Sequence, residues 1–383
     1  MSYKFCVPCL FGLEGLCADE LKRLGMEGVS ARNGQVLFNG AEAAIARANI
    51  NLRTGERVLL AAGETDAYTF DQLFEGVRAM PWEQFIPHGG MFPVKGHSLG
   101  SKLTSIPDCQ KIVKKAVAER LKSKYKAEWL QETGAKYQIQ FAIMNDIAAL
   151  YIDTSGAGLH KRGYRPVGNA APLRETLAAA IVKLSRYKGR ETVYDPFCGS
   201  GTIAIEAALA AINRAPGLNR AFEAQKWSWL DKEIWNDAAA EAKDREFNGV
   251  YDIRGGDIDP KCIKTAEENA RRANVSEHTR FEVADATKFS AVTNAVGSSG
   301  GNAGGNAGGS IIMTNPPYGE RVMERNEAED LYRSFGKTVR ELADWKMYIL
   351  SSHTEFERAF GKVAVKKRKL YNGMIKCDLF MYY

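Results

Sequence analysis

Asn315-Pro316-Pro317-Tyr318 follows directly on an apolar, β-prone run, Ile311-Ile312-Met313-Thr314. Two successive prolines must end a buried strand, and the residue before a proline is held extended, so the backbone leaves the sheet with its carbonyls free and stiffly aimed. An amide side chain, a fixed carbonyl and an aromatic ring in one short segment suit the gripping of a planar exocyclic amine. The Asn315 side-chain oxygen and the Pro316 carbonyl can each accept one N–H, while the Tyr318 ring stacks on the base that carries it.

A second segment, Asp195-Pro196-Phe197-Cys198-Gly199-Ser200-Gly201-Thr202, stands between a first strand, Thr192-Val193-Tyr194, and a first helix, Thr202 to Asn213. Glycines there let a ligand approach the backbone, and the helix N-terminus offers N–H groups to an anion. The spacing is neither that of a dinucleotide fingerprint nor that of a Walker loop, so a carboxylate is as suitable an anion as a phosphate. Asp257 ends the strand 251–257, where it can accept both hydroxyls of a ribose, and Asp285 follows the strand 280–283, placed for an adenine amino group. The interval from glycine loop to Asp257 is about three times the usual ~20 residues, which points to an insertion over 214–250. Four strand ends thus present loop, ribose acid, adenine acid and amine clamp along the carboxyl edge of one sheet, where open α/β sheets bind ligands.

The elements positioning these residues follow from periodicity. A small α/β unit covers 1–45: a strand at Phe5 to Leu10, an amphipathic helix from Leu13 to Leu24 with Gly25 at its C-cap, a strand at Gln35 to Phe38 and a helix around Glu42 to Asn49. Strands at 57–61 and 92–95 flank a helix over 67–80 whose stripe is Phe70, Leu73, Phe74 and Val77. A long helix with Asp108 as its N-cap runs to about Lys124, and strands 137–142 and 148–153 form a hairpin around Asn145-Asp146. This order suits a ferredoxin-like or related module. Pro172 opens a connecting helix carrying Leu173, Leu177, Ile181 and Leu184. The expected division is 1–156, a linker and helix at 157–190, and 191–383. Gly297 to Gly309 is low in complexity and expected to be a flexible surface loop.

With 383 residues, 45% hydrophobic and 26% charged, the chain has ample material for two or three globular domains. No apolar stretch reaches bilayer-spanning length and the N-terminus starts on a strand-like pattern, so a cytoplasmic location without membrane is expected. Seven scattered cysteines argue against a disulfide framework, and the lone pair Cys6/Cys9 is expected to be buried or incidental rather than a metal site. The net charge of +6 is unevenly placed: 95–126 hold nine basic against two acidic residues, and 151–190 hold eight against two. Clustered basic charge on an otherwise mildly acidic chain is the footprint of a polyanion partner. The candidate contacts are Lys111, Lys114, Lys115 and Lys122 on the long helix. Lys161, Arg162, Tyr164 and Arg165 in the glycine-punctuated loop 158–165 could also hold phosphates and stack on a base.

The pair Asp195–Thr202 and Asn315–Tyr318 resembles class I S-adenosylmethionine-dependent amino-methyltransferases. With Phe11-Gly12-Leu13-Glu14, Leu159 to Arg165, Ala171 to Ala180 and Asn315 to Arg321, the chain resembles the THUMP-domain RNA methyltransferases, above all the RlmL-like group that methylates guanine N2 in 23S ribosomal RNA. The resemblance implies a Rossmann-like, seven-stranded methyltransferase domain preceded by a ferredoxin-like plus THUMP α/β region that captures structured RNA. It implies that Asp195, Phe197, Cys198, Gly199, Ser200, Gly201, Thr202, Asp257, Ile258, Asp285, Ala286 and Asn315 hold S-adenosyl-L-methionine and release S-adenosyl-L-homocysteine. Asn315, Pro316, Pro317 and Tyr318 would hold the target base. The expected partner is 23S rRNA or a precursor particle. Transfer RNA, an adenine amine or DNA, and a non-catalytic assembly role are the competing readings, and the sequence leaves the oligomeric state open.

Overall fold

The continuous apolar run Ile311-Ile312-Met313 becomes a central strand because it is buried on both faces. Ile311 and Met313 join one core cluster, with Leu177, Ile181, Ile203 and Ile253, while Ile312 joins another, with Tyr332, Phe335, Phe356 and Phe380. The computed structural model describes residues 2–165, 173–288, 309–318, 325–340, 342 and 345–383. Ala171-Pro172, the glycine-rich run 297–308 and the Gly319-Glu320-Arg321 end of the second motif lie outside them.

The chain forms two compact units: Met1–Cys9, Cys17–Leu159 and Arg220–Glu241 make the first, and Leu10–Leu16, His160–Asn219 and Ala242–Tyr383 the second. The expected division at 156 and 190 assigned 10–16 and 220–241 to the opposite sides. The Trp-rich part of the expected insertion belongs to the first unit, where Trp227 stacks on Tyr137 at 4.9 Å and Trp229 Nε1 donates to the Phe85 carbonyl at 2.8 Å. The long interval between glycine loop and Asp257 is therefore an excursion into the first unit's core.

In the first unit, strands β1 (Tyr3–Pro8), β2 (Glu27–Arg32), β3 (Gln35–Gly40), β4 (Leu59–Asp66), β5 (Val94–Leu99), β6 (Ile139–Met144) and β7 (Ile147–Asp153) form one sheet ordered β2-β3-β1-β4-β7-β6-β5. Its helices are α1 (Glu14–Arg23), whose first turn belongs to the second unit, α2 (Ala43–Asn51), α3 (Phe70–Ala79) and α4 (Ile106–Tyr125). β2, an exposed edge strand of sequence EGVSAR, has no alternation to betray it. Asn145 and Asp146, at φ of 50° and 62°, make the two-residue turn between β6 and β7. Two local expectations are corrected. Ser105, not Asp108, is the N-cap of α4, and its hydroxyl bonds the Asp108 carboxylate at 2.5 Å. Phe70 is exposed, leaving Leu73 and Val77 as the buried stripe of α3.

In the second unit α5 (Glu175–Leu184) precedes β8 (Thr192–Asp195) and α6 (Thr202–Ala211). α7 (Glu233–Asp244) carries the chain back from the first unit. Then come β9 (Ile253–Asp257), α8 (Pro260–Arg272), β10 (Thr279–Val283), β11 (Ser310–Thr314), α9 (Arg325–Arg340), β12 (Trp345–Ser351), α10 (Phe356–Phe360), β13 (Lys366–Asn372) and β14 (Ile375–Tyr382). The seven strands are ordered β10-β9-β8-β11-β12-β14-β13. The first five run parallel, and the β13–β14 hairpin adds an antiparallel edge. Strand order reverses at β8, so the crevice at the carboxyl ends of β8 and β11 is the topological switch point. No described helix is long and apolar enough to cross a membrane.

Candidate active site

At that switch point lies a cavity of about 530 Å³ lined by residues from four strand ends: Asp195 through Ser200 and Thr202, Asp257 and Ile258, Asp285 and Ala286, and Asn315 through Tyr318. Ile203, Asp259, Cys262 and Ala284 also border it, as do Leu173, Leu331, Asn372 and Ile375, none of them expected there.

The glycine loop is held from two sides. Asp257 Oδ2 accepts from the Gly199 N–H at 2.9 Å, tying the loop to the next strand, while Oδ1 accepts from the Asp259 N–H. From α8, the fully buried Asn269 donates to the Ser200 carbonyl at 3.0 Å. Gly199 has φ +51°, and a Cβ there would meet no atom within 4 Å, so its backbone stands open at the cavity. Gly201 has a different role from the one expected. It caps α6 at φ +79°, outside the cavity lining, and a Cβ would fall 2.9 Å from Ala266 Cβ and 3.0 Å from the Phe281 ring. It permits close helix–strand packing rather than ligand approach.

Asp195 is 1% exposed. Burial pushes its carboxyl up to about 7, with the nearby Asp257 charge adding to the rise, against hydrogen bonds from the Thr314 hydroxyl (2.6 Å) and the Phe197 N–H that favour the anion. Asp285 is the opposite case. The Thr287 hydroxyl and N–H, at 2.7 and 2.9 Å, and Lys288 hold its carboxyl below the usual range. Cys198 is buried, and desolvation drives its thiol far up, out of nucleophilic use.

In the Asn-Pro-Pro-Tyr segment the Tyr318 hydroxyl donates to the Asn315 side-chain oxygen, and the Tyr332 hydroxyl on α9 donates to the Pro317 carbonyl. Two groups expected to receive a base are thus paired with each other. Tyr332 lies in an aromatic cluster with Phe356 and His353, and its helical stripe reads as core, which hides this role in the sequence. Thr314 could have been suspected from its place one residue before the clamp.

The basic residues divide. Lys111 and Lys115 are exposed with loose ion pairs to Asp108 and Glu119. Lys122 is half-buried and Lys161 exposed. Lys114 is drawn to Glu132 at 2.5 Å and sits over the Phe92 ring. Arg162, Tyr164 and Arg165 depart from the expectation of an exposed phosphate and base contact. Arg162 and Tyr164 are each 2% exposed, and both engage the buried Glu206, at 3.5 and 3.2 Å. Arg165 is clamped to Glu175 at 2.6 Å.

Comparison with known proteins accords with this arrangement. Residues 4–59 match the RlmL ferredoxin-like domain, 67–153 the THUMP domain and 162–380 the RMKL-like methyltransferase domain. The chain is 42% identical to YpsC of Bacillus subtilis (strain 168), over 100% of this chain and 96% of that one. It is 35% identical to the ribosomal RNA large subunit methyltransferase K/L of Syntrophotalea carbinolica, over 98% of this chain but 53% of that protein, so it spans about half of that relative. Among solved structures, SMU.472 in complex with SAH is similar at TM-score 0.90 and 36% identity, covering 100% of this chain and 98% of that one. A predicted N6-adenine-specific DNA methylase from Listeria monocytogenes str. 4b F2365 is similar at TM-score 0.90 and 41% identity, covering 100% of this chain and 96% of that one. The chain belongs to the family of RMKL-like methyltransferases, with an RlmL ferredoxin-like domain and a THUMP domain ahead of the methyltransferase domain.

Proposed function

We propose that the protein methylates the exocyclic N2 of a guanosine in RNA, large-subunit ribosomal RNA in particular, with S-adenosyl-L-methionine as methyl donor. The observation that carries this reading is one cavity at the switch point of the second sheet, walled on one side by the glycine loop with Asp257 and Asp285 and on the other by Asn315 to Tyr318. The residues fit the donor. Asp257 offers carboxylate oxygens to a ribose, Asp285 is an ionised acceptor for an adenine amine, and Phe197, Ile258 and Ala286 supply apolar wall. Asp195 and the open Gly199 backbone suit an amino acid's ammonium and carboxylate. The bound group supplies a methyl carbon made electrophilic by an adjacent sulfonium.

The chain's own part is to make a poor nucleophile competent. A guanine amino lone pair is delocalised into the ring, and acceptors at the Asn315 side-chain oxygen and the Pro316 carbonyl draw on its two hydrogens, localising that pair and stabilising the positive charge that develops. The Tyr332 hydroxyl, by holding the Pro317 carbonyl, keeps the segment aimed before the base arrives. Tyr318 exchanges its hydrogen bond to Asn315 for stacking on the base. The proton leaves to solvent after transfer, so no strong base is required. A paired guanosine must first be extruded, at a cost of a few kcal/mol.

The THUMP match favours RNA over DNA, and the ribosomal name of the Syntrophotalea relative favours rRNA over tRNA. Labelled methyl transfer to total RNA from a strain lacking the gene, followed by sizing and nucleoside analysis, tests the reading. N2-methylguanosine in large-subunit rRNA is expected. Label in tRNA would replace the substrate, N6-methyladenosine would replace the target amine, and absence of donor binding would overturn the enzymatic reading.

A further inference from the structure

Phe11-Gly12-Leu13-Glu14 and the β13–β14 hairpin meet in the second unit, and the proposed reaction uses neither. The Arg368 guanidinium donates to the Gly12 carbonyl, and the Phe11 ring, 58% exposed, meets Tyr371 edge-on at 6.4 Å. The hairpin is basic: Lys362, Lys366, Lys367, Arg368, Lys369 and Lys376 fall within 362–376, which contains no acidic residue. Lys367 is engaged by Glu357 at 2.7 Å, whereas Lys369 and Lys376 are exposed. In the hairpin register Lys376 stands opposite Tyr371, and Lys369 lies two residues before Tyr371, so all three share one face. The acid on that face is Asp378, opposite Lys369.

The turn ties this face to the cavity. Asn372 and Ile375, which bracket it, line the cavity together with Tyr318. Between them Gly373, at φ +66°, sharpens the turn and leaves Met374 98% exposed at the cavity's rim. A cationic face interleaved with aromatic rings matches a nucleic-acid strand, and an apolar side chain at a protruding tip matches the wedges that enter base stacks.

We propose that this hairpin docks the substrate RNA: Met374 enters the stack beside the extruded guanosine, Lys369 and Lys376 hold flanking phosphates, and Phe11 and Tyr371 offer a stacking surface. This rests on the reading of the site as an RNA methyltransferase. Filling the vacated place offsets part of the unstacking cost, so the wedge matters only where the target base is paired. Lysines on an edge strand also discourage strand-to-strand aggregation, a role that would leave transfer rates untouched.

The test uses the full-length protein and an rRNA fragment that the wild type methylates, presented once with its target guanosine paired and once as a single strand. Met374→Ala is expected to lower kcat/KM about tenfold on the paired form and less than twofold on the single strand. Lys369→Gln with Lys376→Gln is expected to raise KM for either RNA about tenfold and to flatten the log–log salt dependence of binding by about 1.4–1.8. Titration with S-adenosyl-L-homocysteine, expected unchanged in both variants, reports that the site is folded. Equal losses on both RNA forms for Met374→Ala, or rates unchanged while the lysine variant aggregates, would overturn the proposal. Failure of the wild type to methylate any RNA would overturn the underlying reading, and this one with it.

Discussion

Within the second unit two sets of ionisable side chains have opposite fates. Asp195, Asp257 and Asp285 stand at consecutive strand ends and line a cavity, each with part of its hydrogen-bonding capacity taken by the loops that position it. Arg162, Tyr164 and Arg165, barely thirty residues before Asp195, turn inward and spend their polarity on Glu206 and Glu175. The difference is one of geometry. A strand end in a parallel sheet has nowhere to point except the ligand crevice, whereas a glycine-punctuated loop can fold back on its own domain and bury its charges in pairs.

The largest effect expected from that contrast is on stability. Glu206→Gln removes the carboxylate that the Arg162 guanidinium, 2% exposed, engages, and breaking a buried pair costs about 3–5 kcal/mol. Urea midpoints measure it. A stable variant with weakened RNA binding would return Arg162 and Tyr164 to a role in recognition.

Next in size is Asp195. Because its folded carboxyl holds a proton to about pH 7 against the usual 3.8, the stability it contributes is present below about pH 4 and lost as pH rises toward 7. At pH 8 the ionised, desolvated carboxylate then costs the donor-free protein up to about 4 kcal/mol. Asp195→Asn should therefore raise donor-free stability at pH 8, leave it unchanged at pH 4, and weaken S-adenosyl-L-homocysteine binding. Unaltered stability at pH 8 would show that the carboxylate is solvated or internally compensated.

The smallest effect separates the lysines of α4. Lys111→Ala should lower the salt slope of RNA binding by about 0.7–0.9 with little change in stability. Lys114→Ala, losing Glu132 and the Phe92 ring, should instead cost about 1 kcal/mol of stability with a smaller change in slope. Equal slopes for the two would mean that Lys114 exchanges Glu132 for phosphate.

What was legible in the sequence follows the same division. The seven-stranded second sheet and its order of strand ends were readable because Ile311 to Met313, buried on both faces, and the prolines behind it leave few alternatives. The clamp's supports were not. Tyr332 reads as one more apolar position on α9, and the pairing of Tyr318 with Asn315 depends on a side-chain rotamer that no spacing encodes. The Trp-rich segment was misplaced for a related reason. Its indoles find Tyr137 and Phe85, partners about 90 and 144 residues away in sequence, and contacts of that range leave no periodicity. Basic charge misled because composition counts a guanidinium equally whether it faces solvent or Glu206.

The central claim is that one cavity holds the donor through its carboxylate side and the target amine through Asn315. Asn315→Ala, measured for methyl transfer to RNA and for S-adenosyl-L-homocysteine affinity in the same preparation, tests it directly. Transfer is expected to fall by about 10²–10³, as for loss of one transition-state hydrogen bond, with affinity changed less than about threefold. Transfer and affinity falling together would place Asn315 on the donor instead, and undiminished transfer would remove it from the chemistry.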